Sequence, residues 1–339
     1  MDYRSIGGTG VKVSHLCLGA MMFGAWGNTD HDECVRIIHA ALDGGVNFVD
    51  TADVYSHGES EEIVGAALKG RRDQVVLATK FHAAMGDDVN MRGNSRRWIQ
   101  QECEASLRRL GTDWIDIYQA HRFDPDVDLD DTLGALSDLV HAGKIRYLGS
   151  STFPPSAVVE AQWVAERRNR ERFVCEQPPY SIFVRGIEAD LLPTCRQHRM
   201  GVIAWSPLNG GWLTGKYRKG QEPPPGSRGA RNWAGRFDNP ESQRKLDLVE
   251  DLLKLAADAG VSLTHLAQAW VVEHPAVTSA IIGPRTMDHL TDLLAGQDVK
   301  LDTATLDRID ELVPPGTNVN PGDAGWTSPH LDARARRRS

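Results

Sequence analysis

Four side chains able to share proton chemistry stand at or near the ends of short apolar runs. FVDTADVY at 48–55 carries Asp50 and Tyr55, LATK at 77–80 carries Lys80, and YQAHR at 118–122 carries His121. A tyrosine with an ordinary pKa of about 10 keeps its proton at neutral pH. A neighbouring ammonium stabilises the phenolate and lowers that value, and a carboxylate against the ammonium keeps it charged and aimed. On this reading Tyr55 is the acid, Lys80 tunes it, Asp50 anchors Lys80, and His121 hydrogen-bonds and orients a substrate carbonyl. The chemistry is general acid catalysis with no metal. Plainer roles exist for each residue: Asp50 as a turn cap, Tyr55 as a rim aromatic, His121 as a structural histidine. Lys80 is the hardest to assign to structure, because a buried strand rarely ends in an inward lysine without a partner. The conjunction carries the assignment.

These residues need elements that bring them to one rim. A β-branched run, a turn and a helical period recur about every thirty residues, the alternation of a parallel sheet covered by helices. Candidate strands lie at 16–19, 47–50, 75–80, 115–121, 145–151, 173–177, 202–207 and 277–283. Cys34, Ile37, Ile38, Ala41 and Leu42 fall on one helix face, as do Ile99, Cys103, Leu107 and Leu110 with Ser95 as N-cap. Leu133, Leu136, Leu139 and Val140 form the next stripe, ending at Gly143, and Ala157, Val158, Ala161, Val164 and Ala165 another. Eight strands close a (β/α)8 barrel, whose reactive groups gather at the carboxyl ends of the strands. An open dinucleotide-binding sheet would want G-x-G-x-x-G after its first strand. The first turn reads LGAMMFGAWG instead.

The expected organisation is one barrel domain over 1–339. A hairpin within 1–15 pairs 3–6 with 11–14. A Pro/Gly-rich, basic loop at 218–240 is long enough to be a lid. From 314 to 339 the periodicity fades, although Trp326 suggests that part of this tail packs.

Composition limits the partners. The chain has 339 residues, 41% hydrophobic and 25% charged, with a net charge of −8. That is an ordinary globular composition, and the sign of the charge argues against a nucleic-acid or anionic-membrane partner. No apolar run approaches the ~18 residues of a membrane span, and MDYRSIGGTGVKVS has no signal-peptide core. Five scattered cysteines without a C-x-x-C pair fit reduced thiols in the cytoplasm and no zinc site. Oligomeric state is not legible.

At the four chemical residues the sequence resembles the aldo-keto reductase superfamily. FVDTADVY, LATK and YQAHR match its Asp/Tyr/Lys/His tetrad in order. The resemblance continues through GSSTF (149–153), EQPPYS (176–181), WSPLNGGWLTGKY (205–217) and IIGPRT (281–286), and covers residues 3 to 313. It implies a (β/α)8 barrel that uses NADPH/NADP+ to reduce a small carbonyl compound, an aldehyde or ketone. It also implies carboxamide contacts from Ser151, Thr152 and Gln177, with Trp205 stacked on the nicotinamide and Gly19, Ala20 and Asp50 among the cofactor-binding residues. Ser206, Pro207, Leu208, Gly210 and Lys216 would line the pyrophosphate. Gly283, Arg285 and His289 would hold the adenosine 2′-phosphate, where a guanidinium suits a phosphate fork. Substrate walls fall on Trp26, Tyr55, Phe81, His121 and Trp233, with His82, Phe153 and Trp326 as further candidates. Thr152 departs from the family's Asn or Arg, and Asp292 and Leu293 from the Glu and Asn that grip the adenine. Two rivals stand beside the reductase. One is a barrel lyase with Lys80 as Schiff-base nucleophile. The other is a cofactor-binding regulator like the potassium-channel β-subunit branch of the superfamily, which would have no need of His121.

Overall fold

The computed structural model describes residues 1–230, 237, 239–328 and 331. Among these, ten strands form two sheets. The first two, β1 (Tyr3–Ser5) and β2 (Lys12–Ser14), make the antiparallel hairpin, with Tyr3 opposite Ser14. The other eight close a barrel: β3 (Leu16–Gly19), β4 (Phe48–Asp50), β5 (Val76–Phe81), β6 (Ile115–Ala120), β7 (Ile145–Ser151), β8 (Phe173–Gln177), β9 (Gly201–Ala204) and β10 (Ser279–Ile282). Neighbouring strands are parallel, in the order β10-β3-β4-β5-β6-β7-β8-β9. Every predicted run overlaps one of these strands. β9 stops short of the expected 207 because Ser206 adopts a left-handed φ of 57°, which no strand sustains.

Helices surround the barrel. The predicted stripe of α1 (His31–Asp43) buries Cys34, Ile37, Ile38 and Ala41, with Asp30 capping through Glu33 N–H at 2.9 Å. In α3 (Arg96–Leu110) Ser95 caps as expected, and Gly111 closes the helix in the left-handed conformation. The other helices are α2 (Glu59–Leu68), α4 (Leu129–His141), α5 (Pro155–Arg168), α6 (Leu191–Gln197), α7 (Pro240–Asp258), α8 (Leu263–Glu273), α9 (Met287–Ala295) and α10 (Thr303–Leu312). The sequence rhythm of one helix per strand fails in two places: α7 and α8 both follow β9, and α9 and α10 both follow β10. None of the described helices is long and apolar enough to cross a membrane.

The hairpin closes one end of the cylinder. Ile6 and Val13 join Cys17, Phe48, Ala78, Ile117, Val174, Cys175 and Ile203 in an apolar floor inside the barrel. All five cysteines are buried and unpaired by disulfides. In a barrel of this kind the reactive groups gather at the opposite rim, where the strands end.

Candidate active site at the carboxyl rim

Alternation along the strands selects which side chains enter the barrel. β4 ends with Asp50 and β5 carries Lys80 inward. Lys80 Nζ donates to Asp50 Oδ1 at 2.6 Å and to the Thr51 carbonyl at 2.7 Å. The pair is shut off from solvent, with 0% of the Lys80 side chain and 3% of the Asp50 side chain exposed. The other carboxylate oxygen of Asp50 accepts from Gln177 Nε2 at 2.8 Å and Gln119 Nε2 at 3.1 Å. Gly149 makes room for this network, since a Cβ there would sit 2.8 Å from Gln119 Cγ and 2.9 Å from Cys175 Sγ.

Tyr55 follows β4 on a 3-10 turn. Lys80 Nζ lies 3.4 Å from its hydroxyl, and the His121 ring stands edge-on to it, centroids 5.8 Å apart at 80°. The chain after Tyr55 is strained: Ser56, His57 and Gly58 have φ of 49°, 55° and 96° in succession. Ser56 Oγ offsets part of that cost by donating to the Phe23 carbonyl and accepting from Trp26 N–H, both at 3.1 Å. Glu59 accepts from Ala25 N–H at 2.7 Å. The segment so held places Trp26 6.0 Å from Tyr55 and 6.4 Å from His57, centroid to centroid.

The electrostatics differ from the sequence expectation in one respect. Lys80 does pull the Tyr55 pKa down, but burial outweighs it, and the phenol lies above its ordinary value. Burial opposes the charge on Lys80 as well, yet Asp50 and Tyr55 together raise its pKa above that of a free lysine. His121 is pushed well below the usual range by burial, then by Lys80, Arg122 and His82, so its imidazole is neutral. The site therefore holds a protonated phenol, a charged ammonium and a neutral imidazole at pH 7.

These groups open into a cleft of about 720 Å³. Gly19, Trp26, Asp50, Tyr55, His121, Ser151, Gln177, Trp205, Ser206, Pro207, Leu208, Gly210, Lys216, Gly283, Arg285 and His289 all line it, as do Asp292 and Leu293. Phe81, Ala20, Thr152, Phe153, His82 and Trp326, also named from sequence, do not. Phe81 follows the inward Lys80, so it points the other way and packs on Tyr118 with centroids 4.9 Å apart. Ala20, next to the lining Gly19, is fully buried for the same reason. Thr152 lies behind the wall, its Oγ1 accepting from Trp205 Nε1 at 3.3 Å. Phe153 is buried between Phe123 and Phe173, and His82 bonds Asn94 at 2.9 Å. Trp233 lies outside the described residues.

The far end of the cleft is basic. Lys216 and Arg228 have lowered pKa values, first from burial, and both feel repulsion from Arg285. His289 is lowered likewise. The loop after β9 that carries this end has Asn209, Gly210 and Gly211 at φ of 46°, 66° and 97°. Sequence reasoning missed Gln119 as a partner of Asp50 and missed Met22, Arg122 and Thr264 in the lining. It also missed how the tail packs: Asp323 pairs with Lys245, 2.5 Å apart, and accepts from Asn209, while Gly325 packs against Thr152 and Trp205. Of these, only Arg122 had a visible signal, its place beside His121.

Comparison with known proteins agrees with this geometry. Residues 15–314 match the Aldo/keto reductase family. The chain is 38% identical to the uncharacterized oxidoreductase YrpG of Bacillus subtilis, over 96% of this chain and all of that protein. It is 37% identical to the aldo-keto reductase YhdN of the same organism, over 86% and 88% of the two chains. It is also 34% identical to a probable voltage-gated potassium channel subunit beta of Arabidopsis thaliana, over 92% and 97%. The chain belongs to the aldo/keto reductase family of oxidoreductases.

Proposed function

We propose that this protein reduces an aldehyde or ketone to the alcohol with NADPH, Tyr55 acting as general acid. The observation that carries the reading is one cleft with a proton-donating cluster at its inner end and a basic end at Lys216, Arg228 and Arg285. Its residues suit the cofactor. Gln177 gives its amide N–H groups to Asp50 and Gln119, which leaves Oε1 to accept from a carboxamide. Trp205 offers an indole face for a planar ring. Left-handed backbone at Gly210 and Gly211 suits a close anionic approach, and the basic end would hold phosphate.

When bound, the reduced nicotinamide supplies a hydride to the carbonyl carbon. His121, neutral, donates its ring N–H to the carbonyl oxygen and fixes its position. Tyr55 then gives that oxygen its proton, and Lys80 stabilises the resulting phenolate while Asp50 keeps Lys80 in place. Residues 218–230 form part of a strap over the cleft. Arg285 Nη1 donates to the Gly226 carbonyl at 3.1 Å, and Arg228 lies 3.1 Å from Met22 Sδ. The rest of the lid expected at 218–240 is outside the described residues, apart from 237, 239 and 240. A cytoplasmic enzyme acting on small molecules fits this reading.

The Lys80 lyase fits less well, because a Schiff-base nucleophile must lose its proton and Lys80 is held charged. Similarity to the channel-subunit protein supports a regulatory binder as second reading. Stopped-flow NADPH oxidation against a library of aldehydes and ketones separates the two. Oxidation with any member supports the reductase. Tight NADPH binding with no oxidation across the library supports the binder and overturns the reductase.

A further inference from the structure

We infer that the carbonyl substrate carries an anionic group, a carboxylate or a phosphate, and that Arg122 binds it. This rests on the reductase reading and names its substrate class. Arg122 directly follows His121 beyond β6 and lines the same cleft. Its Nη1 donates to the His121 carbonyl at 2.6 Å and reaches Thr152 Oγ1 at 3.4 Å. Nε and Nη2 donate to no group among the described residues, and no described carboxylate lies within ion-pair distance of the guanidinium.

Three other half-buried arginines pair with carboxylates, whereas Arg4, which has none among the described residues, is satisfied by the Val272 and Val277 carbonyls. Arg72 pairs with Asp116 at 2.7 Å, Arg109 with Glu61 at 2.6 Å, and Arg185 with Glu188 at 2.9 Å and Asp310 at 2.7 Å. The carboxylate that interacts with Arg122 from a distance is Glu176. It is already engaged, accepting from the Ser150 hydroxyl and from Phe153 N–H at 3.1 Å. A half-buried guanidinium without a carboxylate is costly to the free protein, and burial weakens its hold on the proton. An incoming anion removes that cost, and its two oxygens match the open edge of the guanidinium.

Arg122 does not belong to the basic end of the cleft. Lys216 and Arg285 follow β9 and β10, whereas Arg122 follows β6. In the closed strand order β6 is three strands from β9 and four from β10, across the barrel. Arg122 instead neighbours the proton-donating cluster and interacts with Tyr55. An anion on Arg122 and a carbonyl on His121 and Tyr55 are thus within reach of one short molecule, with Trp26 and Val54 as the apolar wall between solvent and its carbon chain.

The test compares kcat/KM with saturating NADPH for matched aldehydes: succinic semialdehyde against its methyl ester, and glyceraldehyde 3-phosphate against glyceraldehyde. The inference expects at least one charged member to exceed its neutral partner by about tenfold or more, the scale of charge-assisted hydrogen bonds. Whichever pair shows the preference identifies the anion as carboxylate or phosphate. Arg122→Gln should collapse that ratio toward one and Arg122→Lys should restore part of it; a merely structural arginine would lower both members alike and keep the ratio. If Arg122→Gln does not fold, the ratio in Arg122→Lys and in wild type at rising salt decides. Equal kcat/KM within each pair, or a preference that survives Arg122→Gln, overturns the inference and leaves the reductase standing. Reduction of no carbonyl overturns both.

Discussion

Asp50 and Lys80 form an ion pair 2.6 Å long that is almost wholly buried at the inner end of the cleft. Gln119 and Gln177 donate to Asp50 and the Thr51 carbonyl accepts from Lys80, but among the described residues neither charge has another ion-pair partner. Removing one partner strands the other. Lys80→Met and Asp50→Leu should each destabilise the fold by about 3–5 kcal/mol. The double variant should recover about 1–3 kcal/mol relative to the sum. Urea unfolding of the four proteins closes this cycle, and strict additivity would show that the two residues do not act as a pair.

Tyr55→Phe removes the donated proton and little else, because the phenol ring keeps its packing against Trp26 and His121. Carbonyl reduction should fall by about 10²–10⁴-fold, with NADPH affinity by fluorescence titration nearly unchanged. Since burial raises the Tyr55 pKa, the acid form persists at high pH, and the alkaline limb of kcat should begin no lower than about pH 10. Wild-type turnover in the variant would remove Tyr55 from the acid role.

Arg285 should discriminate between the two nicotinamide dinucleotides. On the proposed reading, in which Arg285 would hold the 2′-phosphate, Arg285→Ala should weaken NADPH binding by about 10–100-fold and NADH by much less. Calorimetric titration of both dinucleotides checks this. Equal weakening of the two would place the 2′-phosphate elsewhere.

Glu176 makes stability depend on pH. Burial raises its carboxyl to about 7 in the folded chain, despite hydrogen bonds from Ser150 and Phe153 that favour the charge. A raised carboxyl contributes stability that is complete below its unfolded pKa near 4.5 and is lost as pH climbs through about 7. Glu176→Gln does not titrate. The advantage of wild type over this variant should therefore shrink by about 3 kcal/mol between pH 4 and pH 8. Chemical denaturation at several pH values measures it, and a constant difference would mean that the carboxyl does not ionise in that range.

Much of the architecture was legible because it is written in local pattern. The apolar runs at 16–19, 145–151 and 173–177 coincide with β3, β7 and β8, and the stripes on α1 and α3 face the core. The meeting of Asp50, Tyr55, Lys80 and His121 was legible because strand ends in a barrel converge, whatever their distance in sequence. Phe81 was misplaced by reading a strand end as a region rather than as alternating faces; one residue separates the inward Lys80 from the outward ring. Gln119, the bare Arg122 and the contact of Gly325 with Trp205 depend on side chains meeting across the barrel. No spacing rule encodes such meetings.

The left-handed run from Ser56 to Gly58 means that the Tyr55 phenol is not secured by its own strand. Each non-glycine in that conformation costs about 1–2 kcal/mol, and the bonds that repay it come from the stretch around Phe23, Ala25 and Trp26. The two stretches are distant in sequence yet stand or fall together, as one cooperative opening unit. Amide hydrogens at Ala25 and Trp26 should exchange with deuterium in step with those of the turn that bears Tyr55, so a substitution at the Phe23–Trp26 stretch can slacken the phenol without touching it.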